Sequence, residues 1–231
     1  MVEKFFRWAG FGSAVLVAAG GLLVLQIHGS TPALIVLDSA NAVQAKTAAS
    51  KVPPGWELKV IAGQPDITVA DQDAQVALHF RSSKSSFALE RTVDVDPSQM
   101  PYIDWRWKVT QLPKGGDFRH SSSDDQAAQV MVAFTDRRII DYIWDSTAPQ
   151  GAAEDISPIP FVHIFTIVCR SGGADVNRWL TENRNVAADY RKAFGKPAPH
   201  IKGVRLQINS QHTGTSAESY FGEVVFRNTQ S

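Results

Sequence analysis

The chain has a single cysteine, Cys169, among its 231 residues. This excludes an intrachain disulfide and a zinc site built from several cysteines. The 23 Lys and Arg residues balance 23 Asp and Glu residues, and no basic run interleaves with aromatics, so we do not expect nucleic acid as a partner. The chain also has neither a G-x-S-x-G nucleophile elbow nor a phosphate-cradling glycine loop. Because no disulfide can form, this chain, which is 44% apolar, must fold on its hydrophobic core alone.

Charged side chains are missing from Trp8 to Leu37, whereas Lys4 and Arg7 precede this stretch. Ala9 to Ile27 is an apolar run of 19 residues, close to the roughly 20 that cross a bilayer as a helix. Basic residues in front favour an inside N-terminus. We therefore predict an N-terminal transmembrane or signal helix and export of the rest of the chain. The A-x-A form at 40–42 leaves signal cleavage open beside an uncleaved anchor.

Three segments follow from this pattern. Residues 1–42 form the predicted signal or transmembrane anchor. Residues 43–54 are mostly small or polar and end in two prolines, as is typical of a linker. Residues 55–231 form one predicted globular domain.

Apolar and polar residues alternate with period two in nine short runs of this domain, which predicts strands. Turn residues separate the runs, so we predict an all-β fold, an antiparallel sandwich or jelly roll. One segment, 184–197, instead predicts a short packing helix capped by Asn185 and ended by Gly195. The predicted strands are 57–61, 74–81, 86–93, 102–110, 126–135, 138–144, 160–169, 201–208 and 219–227.

The stretch IDWRWKVTQLP, residues 103–113, shows the alternation most clearly. Its apolar positions, Ile103, Trp105, Trp107 and Val109, are predicted to face the core, because large apolar side chains are the ones most often buried. The intervening Asp104, Arg106 and Lys108 would then form a charged surface. Cys169 ends a run that is apolar on both faces, so we predict that it is buried.

Several motifs together resemble the bacterial family known as domain of unknown function 3047. They are WRWKV at 105–109, LPKGGD at 112–117, DDQAAQV at 124–130, YIWDS at 142–146 and RNVAADYRKAFG at 184–195. The resemblance runs in order from about Trp56 to Phe226. It implies an exported bacterial protein with a sandwich similar to carbohydrate-binding folds. Together with the N-terminal segment, we expect the protein in the bacterial periplasm or anchored to the inner membrane. It implies no established activity and assigns no functional residue.

The densest polar stretch is the loop 114–126, KGGDFRHSSSDDQ, and loops on a rigid scaffold often carry binding sites. Its three carboxylates leave calcium open as a ligand, although their spacing matches no standard calcium loop and a capped, solvated turn is the simpler interpretation. We predict no other metal or cofactor. Asp124 and Asp125 are adjacent, so either would need a distant carboxylate, such as Asp104, Asp145 or Glu182, to form a glycosidase pair.

We expect binding rather than catalysis: a glycan or other polar envelope ligand held by the sandwich. Trp144 is the first aromatic residue expected at the surface, because it lies at a strand end beside a turn, and Trp179, which follows the loop SGGADVN, is the next. Two alternatives remain, a glycan hydrolase or lyase that uses Asp124 or Asp125 as acid or base, and a structural partner in an envelope assembly. The predicted ligand contacts are Arg106, Asp124, Asp125, Trp144 and Arg184.

Overall fold

A computed structural model describes residues 33–47, 51–73, 75–156 and 162–231. The apolar run 9–27 lies outside these ranges, so the N-terminal membrane or signal helix stays a prediction. Within the described ranges, no helix has the length and apolar character needed to cross a membrane.

Two β-sheets pack face to face, which confirms the predicted antiparallel sandwich. The first sheet has the order β11-β6-β13-β4-β3, with β1 also paired to β13, and the second has the order β2-β5-β12-β7-β8-β10-β9. One pair, β8 with β10, is parallel. The strands in the described residues are β1 Ala33–Leu37, β2 Trp56–Ala62, β3 Ile67–Gln72, β4 Gln75–Ser83, β5 Ser86–Val95, β6 Tyr102–Gln111, β7 Ala128–Phe134, β8 Arg138–Asp145, β9 Ala153–Asp155, β10 His163–Ser171, β11 Leu180–Asn185, β12 Ile201–Asn209 and β13 Ser216–Arg227.

The predicted packing helix is present as α2, Val186–Phe194. Asn185 Oδ1 accepts a hydrogen bond from the backbone N–H of Ala188 at 2.9 Å, which satisfies one of the free N–H groups in the first turn. Gly195 ends the helix in the left-handed conformation, with φ of 70°, where a side chain would be strained. Val186 and Tyr190 bury the apolar stripe of the helix in the core.

The sequence pattern places the start of the globular domain at residue 55. In the structure, β1 and α1 fold before that residue. Strand β1 pairs with β13, with Leu34 opposite Phe226, and its residues Val36 and Leu37 are buried. A second helix, α1 (Ser39–Thr47), packs on β3 and β4. Residues 43–47 are thus helical rather than linker, and the A-x-A sequence at 40–42 lies inside α1. The sequence pattern places ALIVL of β1 in the anchor segment because no Asp, Glu, Lys or Arg lies between the apolar run 9–27 and β1.

Aromatic rings fill the centre of the sandwich. Trp105 packs edge-on against Trp107 with ring centres 5.4 Å apart, and Trp107 lies 5.9 Å from Trp144. Ile103, Trp105, Trp107 and Val109 are all buried, as predicted for IDWRWKVTQLP. Cys169 is buried as well, and this burial raises the pKa of its thiol. Aromatic pairs of this kind add stability beyond their buried area.

Candidate functional site

One row of side chains crosses the outer face of the seven-stranded sheet. Arg205 of β12 lies opposite Glu90 of β5 and Met131 of β7, and Met131 in turn lies opposite Asp141 of β8. Asp141 is in register with Thr166 of β10. Because the flanking residues of each strand belong to the core and side chains alternate, this row points away from the core. We call Glu90, Gln129, Asp141, Thr166, Arg205 and Gln207 the polar face.

Hydrogen bonds connect most of the polar face into one chain. The guanidinium of Arg205 donates to Glu90 Oε1 and, at 3.3 Å, to Gln207 Oε1. Gln207 Nε2 donates to Gln129 Oε1 at 3.3 Å. Gln129 Nε2 then donates to Asn209 Oδ1 at 2.7 Å. These side chains are almost fully buried, and buried polar groups of this kind hold one another in fixed orientations.

Asp124 lies at the end of this hydrogen-bond chain, in the loop before β7. Its Oδ1 accepts a hydrogen bond from Gln126 Nε2 at 2.9 Å, and its backbone carbonyl accepts one from Asn209. Burial raises the pKa of the Asp124 carboxyl to about 6; the hydrogen bond from Gln126 opposes this shift, and the charges of Asp125 and Asp145 add to it. A partly exposed carboxyl with a pKa near neutrality is able to exchange a proton at physiological pH.

Asp141 is the least satisfied group on the polar face. Its side chain is buried, at 3% exposure, and its Oδ1 has no hydrogen-bond partner in the described part of the chain. Thr166 Oγ1, on the neighbouring strand, also has none there. Burial raises the pKa of Asp141 well above its usual range, and the nearby Asp124 charge adds to this shift while Arg205 opposes it. Two unpartnered polar groups therefore lie side by side on β8 and β10.

Apolar side chains border the polar face on the β8 and β10 side. Ile143 and Val168 point outward and pack against Phe118 and Ala148. Met131 lies in a second apolar group, with Ile139, Val162 and Ile164. Polar and apolar groups thus lie side by side on this face, and both are almost completely covered.

The sequence model of a family described as "Protein of unknown function (DUF3047)" matches residues 54–225, which is most of the chain. The chain belongs to the DUF3047 family. This confirms the resemblance found in the sequence motifs. No curated protein matches the chain significantly.

Solved structures similar to the DUF3047 domain include carbohydrate-binding modules and glycanases. A family 11 carbohydrate-binding module of the cellulosomal cellulase Lic26A-Cel5E of Clostridium thermocellum is 8% identical, with a TM-score of 0.44, over 87% of this chain and 97% of that chain. The xyloglucanase domain of NopAA from Sinorhizobium fredii, in complex with cellobiose, is 9% identical, with a TM-score of 0.49, over 76% and 93%. Because the sequence identity is below 10%, these similarities assign neither a binding residue nor a ligand to the DUF3047 domain.

The five predicted ligand contacts do not come together in the DUF3047 domain. Asp124 borders the polar face, whereas Arg106 lies on the outer face of the six-stranded sheet. Arg184 lines a separate cavity of about 350 Å³ between β10, β11 and α2. There its guanidinium donates to both carboxylate oxygens of Asp189, at 3.0 and 2.7 Å, so this pairing already satisfies it.

Trp144 is fully buried, which corrects its expected place at the surface. The physical reason is the register: Trp144 lies on the inner face of β8 next to Trp107, and its Nε1 donates to the carbonyl of Gly172 at 3.1 Å. This position leaves no face of the indole for a ligand.

Asp125 also has a structural position. It is fully buried, and its carboxylate accepts hydrogen bonds from the backbone N–H groups of His212 and Thr213, at 3.2 and 2.6 Å. It therefore fixes the turn after β12. Asp124, its neighbour in sequence, is only partly buried.

The carboxylates of the loop 114–126 have partners within the protein. Asp117 accepts hydrogen bonds from Arg119 at 2.8 and 2.6 Å, which hold the pKa of its carboxyl well below the usual range. Within the described ranges, no three His, Cys, Asp or Glu residues are grouped so that they could hold a metal ion. Calcium binding at this loop stays an untested expectation.

Asp141, Arg205 and Gln207 are the residues that the sequence pattern missed. Two of the distant carboxylates that could have formed a glycosidase pair with Asp124 or Asp125 are held in ion pairs. Asp104 pairs with Arg227 at 2.8 Å, and Glu182 pairs with Arg170 at 2.6 Å. A signal was present, because Asp141 interrupts the otherwise apolar stretch IIDYIW. An acidic residue inside an apolar strand marks either a buried pair or a binding site.

The raised pKa of Asp124 predicts a pH-dependent stability. Its folded-state pKa of about 6 exceeds that of an unfolded aspartate, near 3.9. The folded chain therefore holds this proton more tightly, and the free energy of unfolding should fall by about 1–3 kcal/mol as the pH rises from 4 to 7. Asp124→Asn should remove this contribution. Urea unfolding of both proteins at pH 4, 5, 6 and 7 measures this contribution. If the free energy of unfolding of Asp124→Asn does not rise relative to that of the parent as the pH increases, the raised pKa of Asp124 would be contradicted.

Proposed function

We propose that the DUF3047 domain binds a glycan at the polar face, reached from the partly exposed Asp124 at its edge, and does not cleave it. The observation that carries the proposal is the row from Glu90 to Thr166, in which Asp141 Oδ1 and Thr166 Oγ1 have no hydrogen-bond partner within the described part of the chain. Sugar hydroxyls both donate and accept hydrogen bonds. The amides, the guanidinium and the carboxyls of the polar face offer both kinds of partner in fixed positions.

Unpartnered groups on the polar face support a ligand rather than a purely structural role. A buried polar atom without a partner costs roughly 1–3 kcal/mol, and native proteins contain few of them. Asp141 Oδ1 and Thr166 Oγ1 are two such atoms on adjacent strands. A ligand hydroxyl that bonds to them would convert this cost into binding affinity.

A glycan-acting enzyme is the second candidate, and the pKa of Asp124 favours it. An acid or base whose pKa lies near 6 suits proton transfer at neutral pH. Glu90 and Asp141 are three strand spacings apart, roughly 14 Å, which exceeds the roughly 5–9.5 Å of a glycosidase pair. Asp124 with Asp141 is therefore the pair that this candidate requires. Release of reducing ends from an oligosaccharide, lost in Asp124→Asn, would establish it.

We also propose that the domain acts in the bacterial envelope, in the periplasm or held at the inner membrane by the N-terminal helix. The uncharged stretch from Trp8 to Leu37 supports this location. With β1 beginning at Ala33, only residues 28–32 separate the apolar run from the sheet. A partner role in an envelope assembly becomes the preferred alternative if no glycan binds.

Asp141→Leu provides the test, because the proposal predicts opposite effects on stability and binding. Leucine has a similar size and removes an unpartnered buried carboxyl, so the melting temperature without ligand should stay level or rise. Hexasaccharides of glucose, mannose, xylose or N-acetylglucosamine should raise the melting temperature of the parent chain and have no effect on the variant. The measurement uses the full chain in a detergent without sugar groups.

Asp94→Leu is the matched control. Asp94 lies on β5 of the same sheet, but its side chain is 87% exposed, so its replacement should leave the ligand-induced shift intact. No shift of the parent with any hexasaccharide, or an equal shift of Asp141→Leu, would contradict the proposed site.

A further inference from the structure

A second cluster lies on the outer face of the other, six-stranded sheet. Tyr220 of β13 is in register with His79 of β4 and Lys108 of β6. Arg106 precedes Lys108 by two residues and so shares its face. Trp179, just before β11, lies beside Arg106. We call His79, Arg106, Trp179 and Tyr220 the arginine–aromatic cluster.

Ring contacts join the members of this cluster. The rings of His79 and Tyr220 stack in parallel, with centres 4.2 Å apart. Trp179 meets Tyr220 edge-on at 6.4 Å. The guanidinium carbon of Arg106 lies 5.6 Å from the centre of the Trp179 ring, within the range of a cation–π contact. The cluster thus joins aromatic surface to one positive charge.

Neighbouring charges on this face have partners of opposite sign. Lys108 pairs with Asp73 at 2.7 Å, and His79 contacts Glu218 at 2.6 Å. Arg106 differs, because its guanidinium has no hydrogen-bond or ion-pair partner among the described residues and its Nε is covered. Arg137 and Arg191 also lack an ion-pair partner there, but both are exposed and water satisfies them. Arg106 is half-buried, so its lack of a carboxylate partner is costly.

Gly222 keeps the space above Arg106 open. It occupies the bulge in β13 between Phe221 and Val224. A Cβ at this position would lie 3.3 Å from Arg106 Cβ and 3.5 Å from Cζ3 of Trp179. A larger side chain would therefore crowd both residues and cover the guanidinium.

We propose that the arginine–aromatic cluster binds the carboxylate of an acidic sugar. Arginine binds planar carboxylates through two parallel hydrogen bonds. The half-buried ring of Trp179, with Tyr220 packed edge-on behind it, supplies flat apolar surface of the kind that lines ligand sites. The positive charge of Arg106 favours an anionic group. The aromatic rings favour a carboxylate that is attached to a sugar, because the sugar ring can pack against them, over a small free anion. This site is independent of the polar face and lies on the opposite sheet.

Calorimetric titration of the full chain tests the site with matched ligands. Trigalacturonate should bind at least tenfold more tightly than its fully methyl-esterified form, which has the same shape without the charge. Salt should weaken trigalacturonate binding. Inorganic phosphate should bind at least tenfold more weakly than trigalacturonate; equal affinity would reduce the site to a simple anion site and overturn the proposal.

Variants assign the binding to Arg106. Arg106→Gln should lower trigalacturonate affinity at least tenfold, to the level of the ester, and Arg106→Lys should retain more affinity because it keeps the charge. Arg191→Gln, an exposed control, should bind as the parent does. Asp141→Leu should also bind trigalacturonate normally, which separates this proposal from the one on the polar face. Parent-like binding by Arg106→Gln, or no binding by the parent chain, would overturn it.

Discussion

Trp144→Ala is expected to lower the free energy of unfolding by about 3–5 kcal/mol, the range for a large aromatic side chain removed from a core. Trp144 is fully buried and contacts Trp107 with ring centres 5.9 Å apart. The substitution also removes the hydrogen bond from its Nε1 to the carbonyl of Gly172. The loss therefore combines a cavity with an unsatisfied carbonyl group. Urea unfolding at constant pH measures it.

Trp179→Ala is the matched control, because Trp179 is only half-buried at the surface of the other sheet. Its replacement should lower the free energy of unfolding by less than about 1.5 kcal/mol, since much of its surface is already exposed to water. A small stability loss in Trp144→Ala together with a loss of glycan binding would show that Trp144 reaches a ligand, and would contradict its place in the core.

Glu90→Ala is expected to destabilise the domain by a similar amount, about 3–5 kcal/mol, because it breaks a buried ion pair and leaves the opposite charge without its carboxylate. Glu90 and Arg205 are both buried, and the guanidinium of Arg205 donates directly to Glu90 Oε1. Arg205 also holds Gln207 in the hydrogen-bond chain. Loss of Glu90 should therefore weaken glycan binding along with stability.

An exposed ion pair gives the comparison. Arg81 and Asp66 have side chains 51% and 47% exposed and lie 2.9 Å apart. Asp66→Ala should change the free energy of unfolding by no more than about 1 kcal/mol, since water screens such pairs. If urea unfolding gave equal losses for Glu90→Ala and Asp66→Ala, the ion pair of the polar face would have to be open to solvent.

Local patterns were sufficient to predict much of the sandwich. Each of the nine predicted strands overlaps a strand of the structure, because period-two alternation reports directly on which side chains face the core. The same reasoning placed Trp105 and Trp107 inside and found α2 from its caps and its apolar stripe. The motifs also identified the family correctly.

Features set by long-range packing could not be predicted in this way. Strand β1 is defined by its pairing with β13, nearly the whole chain away, and helix α1 has no apolar stripe to reveal it. The position of Trp144 depends on which face of β8 meets the core. Ile140 and Tyr142, which share a face with Trp144, are apolar, but Ile139 and Ile143 on the opposite face are apolar too. The sequence alone therefore does not show which face of β8 meets the core. The polar face joins residues from five strands, and only their register brings Glu90, Arg205 and Asp141 into one row.

The domain thus presents different chemistry on its two outer faces. The polar face offers buried amides and carboxyls that suit uncharged hydroxyl groups. The arginine–aromatic cluster offers Arg106, a cation without an ion-pair partner among the described residues, beside aromatic rings. The two proposed sites therefore differ in the charge of the sugar that each would select.

Methyl resonances of methionine provide the most direct test of the polar face. The chain has 3 methionines, and Met131 lies in the row between Arg205 and Asp141. Met100 lies in the turn between β5 and β6 and serves as the internal reference. With methyl-labelled full chain and a hexasaccharide that raises its melting temperature, we predict a saturable shift of the Met131 resonance and an unchanged Met100 resonance. A hexasaccharide that binds while Met131 stays unchanged would contradict glycan binding at the polar face.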